Sequence, residues 1–115
     1  MTQSISGTTQ IYGLIGDPVE HSFSPPMMNA AFSYMNLDAC YLAFQVETKK
    51  VSEAIAGIRA LNFAGVNVTV PHKSSVIPYL DEVSPLAKKI GAVNTISIVK
   101  GHLKGTNTDF SGFIR

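Results

Sequence analysis

Three short apolar runs, separated by two amphipathic segments, constrain the fold of this chain more than any other feature. The apolar runs read IYGLIG, ACYLAFQV and GVNVTV, at residues 11–16, 39–46 and 65–70. The segments between them, SPPMMNAAFSYMN and KKVSEAIAGIRALN, repeat apolar residues at helical spacing. Strands joined through helices need crossover connections, which favour parallel pairing and place helices on both faces of the sheet. We therefore expect an α/β fold, a three-layer αβα sandwich with a mostly parallel sheet.

The second part of the chain predicts shorter elements. Two brief helical pieces are expected at about 74–81 and 84–90, with Gly91 as the C-cap of the second. The runs VNTISIV and HLKGTNT flank a Lys-Gly-His turn and predict one antiparallel hairpin. The final DFSGFIR predicts the start of another helix. In open α/β sheets ligands bind outside the carboxyl ends of the strands, so polar residues that follow the strands are the functional candidates.

Composition and charge exclude several classes of function. The chain has 115 residues, of which 45% are hydrophobic and 15% charged, which suits one folded domain. Its net charge is +1 and its basic residues are scattered, so we expect no nucleic-acid partner. No apolar run approaches the roughly 20 residues of a membrane span, so we expect no membrane partner. The N-terminus lacks an apolar signal core, and a cytoplasmic location is the default expectation.

Cysteine and histidine usage argues against a metal site. The single Cys40 excludes an intrachain disulfide and predicts a buried structural thiol. The three histidines have no helical metal-ligand spacing and no acidic residues grouped with them. We therefore expect no metal.

Two hydroxyls stand together in the loop after the first strand, in GDPVEHSFSP. Ser22 and Ser24 are two residues apart beside a predicted helix start, where unpaired backbone N–H groups help to bind anions. Serine is also a common N-cap, so local capping by both residues is the alternative.

The third strand carries an unexpected polar stripe. A parallel strand that is buried on both faces should be apolar on both, yet Asn67 and Thr69 break this rule on one face. Buried polar groups need partners, either within the protein or on a ligand. Lys73 follows the strand end and could reach the same side. A solvated lysine at a helix start is the alternative, although a cation there opposes the helix dipole.

Two further polar residues lie in GAVNT and GTNTD. Asn94 opens a strand and Asp109 begins the terminal helix. For each residue, a purely local role in a turn or a cap is the alternative. A lysine and an aspartate at neighbouring strand ends can also pair. The carboxylate would then keep the Lys73 ammonium charged, oriented and able to pass a proton to a bound hydroxyl or carbonyl.

In this order, the four clusters resemble the N-terminal half of shikimate dehydrogenases. The matching pieces are GLIGDPVEHSFSP, GVNVTVPHK, IGAVNT and GTNTDFSGF, and the resemblance covers about residues 11–113. It implies reversible reduction of 3-dehydroshikimate to shikimate with NADPH, a step in aromatic amino acid biosynthesis. It also implies a role for each of seven residues. Ser22 and Ser24 would bind the substrate carboxylate, Asn67, Thr69 and Asn94 would bind ring hydroxyls, and Lys73 and Asp109 would form the catalytic pair.

The chain departs from the family pattern at a few positions. Met28 stands where the family often has His, and Thr106 and Phe110 stand where it often has Asp and Gly. Family members continue into a Rossmann domain that binds NADP, whereas this chain has no Gly-x-Gly-x-x-Gly turn. We therefore expect residues 1–115 to be the substrate-binding domain alone, without bound NADP and inactive by itself. A quinate/shikimate dehydrogenase and a stand-alone, non-catalytic binding domain for a cyclohexane carboxylate are the alternatives.

Overall fold

The three apolar runs form three neighbouring parallel strands in the computed structural model, which describes residues 4–108. They are β1 (Gln10–Gly16), β2 (Ala39–Gln45) and β3 (Gly65–Val68). Both β2 and β3 pair with β1 in parallel. Because both neighbours run parallel to β1, the carboxyl ends of all three strands, and the loops that follow them, lie at the same edge of the sheet.

The second half of the chain completes the sheet with three strands, β4 (Glu82–Val83), β5 (Thr95–Val99) and β6 (His102–Thr106). β5 and β6 form the predicted antiparallel hairpin, and the turn residues Lys100 and Gly101 both have positive φ, at 51° and 78°, as a type I′ turn requires. The strand order is β2-β1-β3-β5-β6-β4. The expected mostly parallel sheet is confirmed, although the two-residue β4, parallel to β6, was too short to predict.

Within residues 4–108, three α-helices flank the sheet: α1 (Ser24–Tyr34), α2 (Val51–Ala60) and α3 (Pro85–Ile90). α3 is capped as its sequence predicts, because Ser84 Oγ accepts a hydrogen bond from the Ala87 N–H and Gly91 has a φ of 79°. The helix predicted at 74–81 was largely wrong, since it contains only a short 3₁₀ turn (Ile77–Tyr79). None of the helices within residues 4–108 is long and apolar enough to cross a membrane.

Two apolar cores lie on opposite faces of the sheet, since successive strand side chains point to opposite faces. The larger core joins the strands to α2 and α3 and includes Ile15, Val66 and Val68. The smaller core lies beneath α1 and includes Leu14 and Phe32. The three-layer architecture is therefore confirmed. Cys40 is buried, as expected.

Candidate functional site

A depression of about 320 Å³ lies on the α1 side of the sheet, at the carboxyl ends of β1 and β3. It brings together three of the predicted site residues, Ser22, Ser24 and Thr69, which come from separate parts of the chain. Its lining consists of Leu14, Pro18, Val19, His21, Ser22, Ser24 and Thr69. The apolar floor and hydroxyl-bearing walls suit a small polar molecule with an apolar ring face.

The serine pair both stabilises its own loop and faces the depression. Ser22 Oγ accepts a hydrogen bond of 3.1 Å from the Ser24 backbone N–H, while the Ser22 N–H donates to the Val19 carbonyl. The local role anticipated for Ser22 is therefore present, but a hydroxyl that accepts such a bond keeps its own hydrogen to donate. Ser24 is the first residue of α1, and Phe23 occupies the N-cap position without a side-chain bond. The alternative that Ser24 is the N-cap was wrong, which leaves its hydroxyl for contacts across the site.

Asn67 and Thr69 lie on the α1 side, as the alternation of the third strand predicts. Val66 and Val68 are buried in the larger core, whereas Asn67 is exposed and Thr69 half-buried. The stripe is therefore polar because its face is only partly covered. The strand ends at Val68, two residues earlier than expected, although the Thr69 N–H still donates to the Ile15 carbonyl at 2.9 Å.

A chain of side-chain hydrogen bonds crosses the sheet beside this depression. The Tyr41 hydroxyl of β2 donates to Asn67 Oδ1 at 2.9 Å, and Asn67 Nδ2 makes a longer contact of 3.5 Å with Thr95 Oγ1. Thr95 Oγ1 in turn donates to Asn94 Oδ1 at 2.9 Å. The network therefore links two predicted site residues, Asn67 and Asn94, through Thr95 and extends to Tyr41, and sequence reasoning missed both Thr95 and Tyr41. The available signal was a tyrosine in a buried strand, since a buried phenol requires a polar partner.

Asn94 joins three segments of the site. Its carbonyl accepts the Val68 N–H at 2.8 Å, and its own N–H donates to the Thr106 carbonyl at 3.0 Å. Its Oδ1 also accepts bonds from the Thr108 N–H and hydroxyl, at 3.0 and 3.2 Å. With the Thr95 bond included, this oxygen has three donors, so a ligand would have to be bound through Nδ2.

Lys73 and Asp109 are the predicted catalytic pair. Lys73 is half-buried just beyond β3, and its carbonyl accepts the Val93 N–H at 2.8 Å. This bond holds the lysine turn against the segment that leads into Asn94. Asp109 lies outside the described residues, so the geometry of the pair stays a prediction. Its covalent neighbour Thr108 is bound to Asn94, as described above.

His72 is fully buried beneath the Lys73 turn. Its Nε2 donates to the Val46 carbonyl at 2.5 Å, which identifies the Nε2–H tautomer because a carbonyl can only accept. Its backbone N–H donates to the Thr69 carbonyl at 3.0 Å. Within the described chain, Nδ1 is a buried side-chain nitrogen without a hydrogen-bond partner. The imidazole therefore ties the turn that carries Thr69 and Lys73 to the end of β2.

Burial raises the pKa of the Tyr41 hydroxyl, and a side-chain hydrogen bond from Ser24 opposes that rise. Tyr41 is therefore a neutral donor near neutral pH. Among residues 4–108, no three His, Cys, Asp or Glu side chains are grouped so that they could hold a metal ion.

Comparison with known proteins places these features in a family. Residues 14–96 match the model of the shikimate dehydrogenase substrate binding domain. The chain is 56% identical over 111 residues to the shikimate dehydrogenase (NADP(+)) of Desulforamulus reducens, covering 96% of this chain and 38% of that protein. It therefore spans well under half of the relatives' length.

Solved structures agree with this match. The structure of shikimate 5-dehydrogenase from Listeria monocytogenes, in complex with shikimate and NAD, has a TM-score of 0.94 and 44% identity, covering 100% of this chain and 40% of that one. The enzyme from Thermus thermophilus, in complex with NADP(H) and shikimate, has a TM-score of 0.87 and 39% identity, covering 92% and 40%. The described fold is thus that of one part of these larger enzymes.

Proposed function

The chain belongs to the family of shikimate dehydrogenase substrate-binding domains, and on that premise we propose that it binds shikimate and 3-dehydroshikimate for an NADP-dependent dehydrogenase. The observation that carries this proposal is the depression in which Ser22, Ser24 and Thr69 meet. The network through Asn67 and Asn94 lies beside it on neighbouring strands. Solved relatives with shikimate bound support this choice of ligand.

The ligand's chemistry matches the position of each group. The hydroxyls of Ser22 and Ser24 lie beside the start of α1, where backbone N–H groups also favour an anion, so they would bind the carboxylate. Thr69 and the amides of Asn67 and Asn94 would bind ring hydroxyls. Leu14 and Val19, which line the depression, would pack against the carbon ring.

Proton transfer would fall to Lys73 and Asp109. In the reductive direction the Lys73 ammonium would give a proton to the oxygen of the reacting carbonyl, and in the oxidative direction the amine would take it back from the hydroxyl. The Asp109 carboxylate would hold the ammonium charged and oriented. This assignment rests on the family motif and on the position of Lys73 beyond β3.

The cofactor would be held outside these residues. NADP(H), when bound, exchanges a hydride with the ring carbon of the substrate. This chain contains no Gly-x-Gly-x-x-Gly turn with which a βαβ unit holds the pyrophosphate. We therefore assign to the chain only the binding and orientation of the substrate and the handling of the proton.

The test is an NMR titration of the isotope-labelled chain with shikimate. Signals of Ser22, Thr69 and Asn94 are expected to move, with weak affinity, because no second wall closes the site and excludes water. A shikimate analogue without the carboxylate should bind more weakly. The Ser22→Ala/Ser24→Ala double variant should abolish the difference between the two ligands, whereas Ser97→Ala, on the exposed side of β5, should preserve it. If saturating shikimate moves none of these signals, the proposed site is wrong.

A further inference from the structure

Tyr41 is hydrogen-bonded both to helix α1 and to the side-chain amide of Asn67. It belongs to β2, which is one of the two edge strands of the sheet, and only 2% of its surface is exposed. Its backbone is held by α1, because Asn29 Nδ2 donates to the Tyr41 carbonyl and the Tyr41 N–H donates to Asn29 Oδ1, both at 2.8 Å. These two bonds fix the position of Tyr41 relative to the helix.

The ring of Tyr41 extends from β2 across β1 to reach β3. It belongs to the smaller core with Leu14 and Phe32, and Tyr41 is paired with Tyr12 of β1 in the parallel register. Its hydroxyl donates to Asn67 Oδ1 at 2.9 Å. One buried phenol thus contacts a residue that is assigned to a ring hydroxyl of the ligand.

The direction of the Tyr41–Asn67 bond has a chemical consequence. A side-chain amide has an accepting oxygen and a donating nitrogen, and exchanging them reverses what it offers to a ligand. The Tyr41 phenol is neutral and donates, so it selects the orientation in which Oδ1 faces Tyr41. Nδ2 then points away, on the side of Thr95. Asn67 is left to donate to a ligand oxygen instead of accepting from a ligand hydroxyl.

We propose that Tyr41 is a positioning residue for the substrate site, whose hydroxyl sets the orientation of the Asn67 amide without touching the ligand. This inference rests on the proposed function, because it names what Tyr41 does for the same site. It differs from a purely structural role, in which the ring fills the smaller core and the hydroxyl has no effect on binding.

The main experiment compares Tyr41→Phe with Tyr12→Phe in the labelled chain. Both variants keep an aromatic ring in the smaller core, but only Tyr41 has its hydroxyl in the network. Tyr41→Phe should weaken shikimate binding about three- to tenfold, which is the range that one lost hydrogen bond supports. Tyr12→Phe should bind as the wild type does. Equal affinities for Tyr41→Phe and the wild type would overturn the proposal.

Two further variants test whether Tyr41 acts through Asn67. The Tyr41→Phe/Asn67→Ala double variant should bind shikimate no more weakly than Asn67→Ala alone, and additive losses would contradict the proposal. Asn67→Asp keeps an acceptor for Tyr41 but loses the Nδ2 donor. It should therefore lose as much affinity as Asn67→Ala, and wild-type binding by Asn67→Asp would show that the amide nitrogen does not face the ligand.

A ligand-free measurement separates this inference from the proposed function. The side-chain amide signals of Asn67 should shift in Tyr41→Phe and stay in place in Tyr12→Phe, whether or not shikimate binds. If the wild-type chain binds no shikimate but these signals behave as described, the function fails while the Tyr41–Asn67 coupling stands. If the Asn67 amide signals are the same in Tyr41→Phe and the wild type, the positioning role is refuted.

Discussion

The side chain of Thr69 lies directly against the Cα of Gly16, where a Cβ would collide with Thr69 Cγ2 and come within 3.1 Å of Val19 Cγ1. Gly16 is the last residue of β1, and Thr69 directly follows β3. The absence of a side chain at Gly16 therefore leaves room for the side chain of Thr69. The contact is possible only because glycine has no side chain, and it places the Thr69 hydroxyl at the depression.

We predict that Gly16→Ala displaces Thr69 and weakens shikimate binding. The new methyl would lie 3.1 Å from the Val70 carbonyl, so it cannot move away from Thr69 in that direction. The side chain of Thr69 therefore has to move. Gly57→Ala is the matched control, because a Cβ at Gly57 of α2 meets nothing within 4 Å. Alanine there should raise the free energy of unfolding by about 0.5–1 kcal/mol and leave binding unchanged. Urea unfolding and shikimate titration of both variants provide the check, and unaltered binding by Gly16→Ala would contradict the prediction.

His72→Leu should destabilise the turn that carries Lys73. The leucine removes the donor to the Val46 carbonyl and leaves a buried acceptor without its partner, which costs about 1–3 kcal/mol. Urea unfolding of the variant should show the loss, and NMR should show the largest shifts at Val46, Thr69 and Lys73. Exchange of the exposed His102 for leucine serves as the comparison. A His72→Leu variant as stable as the wild type would mean that the imidazole only fills space.

Asp81 should make the stability of the chain depend on pH in the acidic range. The Leu103 backbone N–H, and next the Arg59 guanidinium, lower the pKa of this carboxyl below its usual value. A lowered pKa in the folded state means that the stabilisation is present above the unfolded pKa of about 3.9 and is lost as the pH falls through the lower folded value. Asp81→Asn should therefore destabilise the chain near neutral pH and lose this effect in strong acid. Thermal melts of both proteins across this range test the sign, and a pH-independent difference would refute it.

The chain alone should not reduce 3-dehydroshikimate. Hydride transfer requires the nicotinamide to be held against the substrate, and this positioning is a large part of the rate enhancement. NADPH oxidation in the presence of the purified chain should match a control without protein. Turnover by a preparation free of host enzyme would show that these residues bind the cofactor after all.

Lys73 and Asp109 should act as a unit in a full-length enzyme that carries these residues. Lys73→Ala should reduce turnover by about 10²–10⁴-fold, the contribution expected of a positioned proton donor, while the fold is retained. Lys89→Ala, in the last turn of α3, is the control and should keep full activity. Combining Lys73→Ala with Asp109→Asn should cost less than the product of the single losses. Multiplicative losses would mean that the two residues work independently.

The order of the elements and much of the site could be predicted from the sequence. Short apolar runs and the helical segments between them predicted β1, β2 and β3 and the helices α1 and α2, and the turn residues predicted the β5–β6 hairpin. These features depend on neighbours along the chain, so local patterns are enough to identify them. The family motifs identified Ser22, Ser24 and Thr69 as candidates that the fold then placed around one depression.

Contacts between distant segments decided the rest. The two-residue β4 forms only because β6 lies beside it, and Phe23, not Ser24, occupies the N-cap position of α1. Tyr41 and Asn67 are 26 residues apart, and nothing in either local sequence pairs a phenol with an amide. The sequence by itself determined which of the longer segments form strands and which residues are candidates for the chemistry. Only the tertiary structure decided which hydroxyl orients which amide, because a hydrogen bond depends on distance and direction in space, which a linear pattern does not contain.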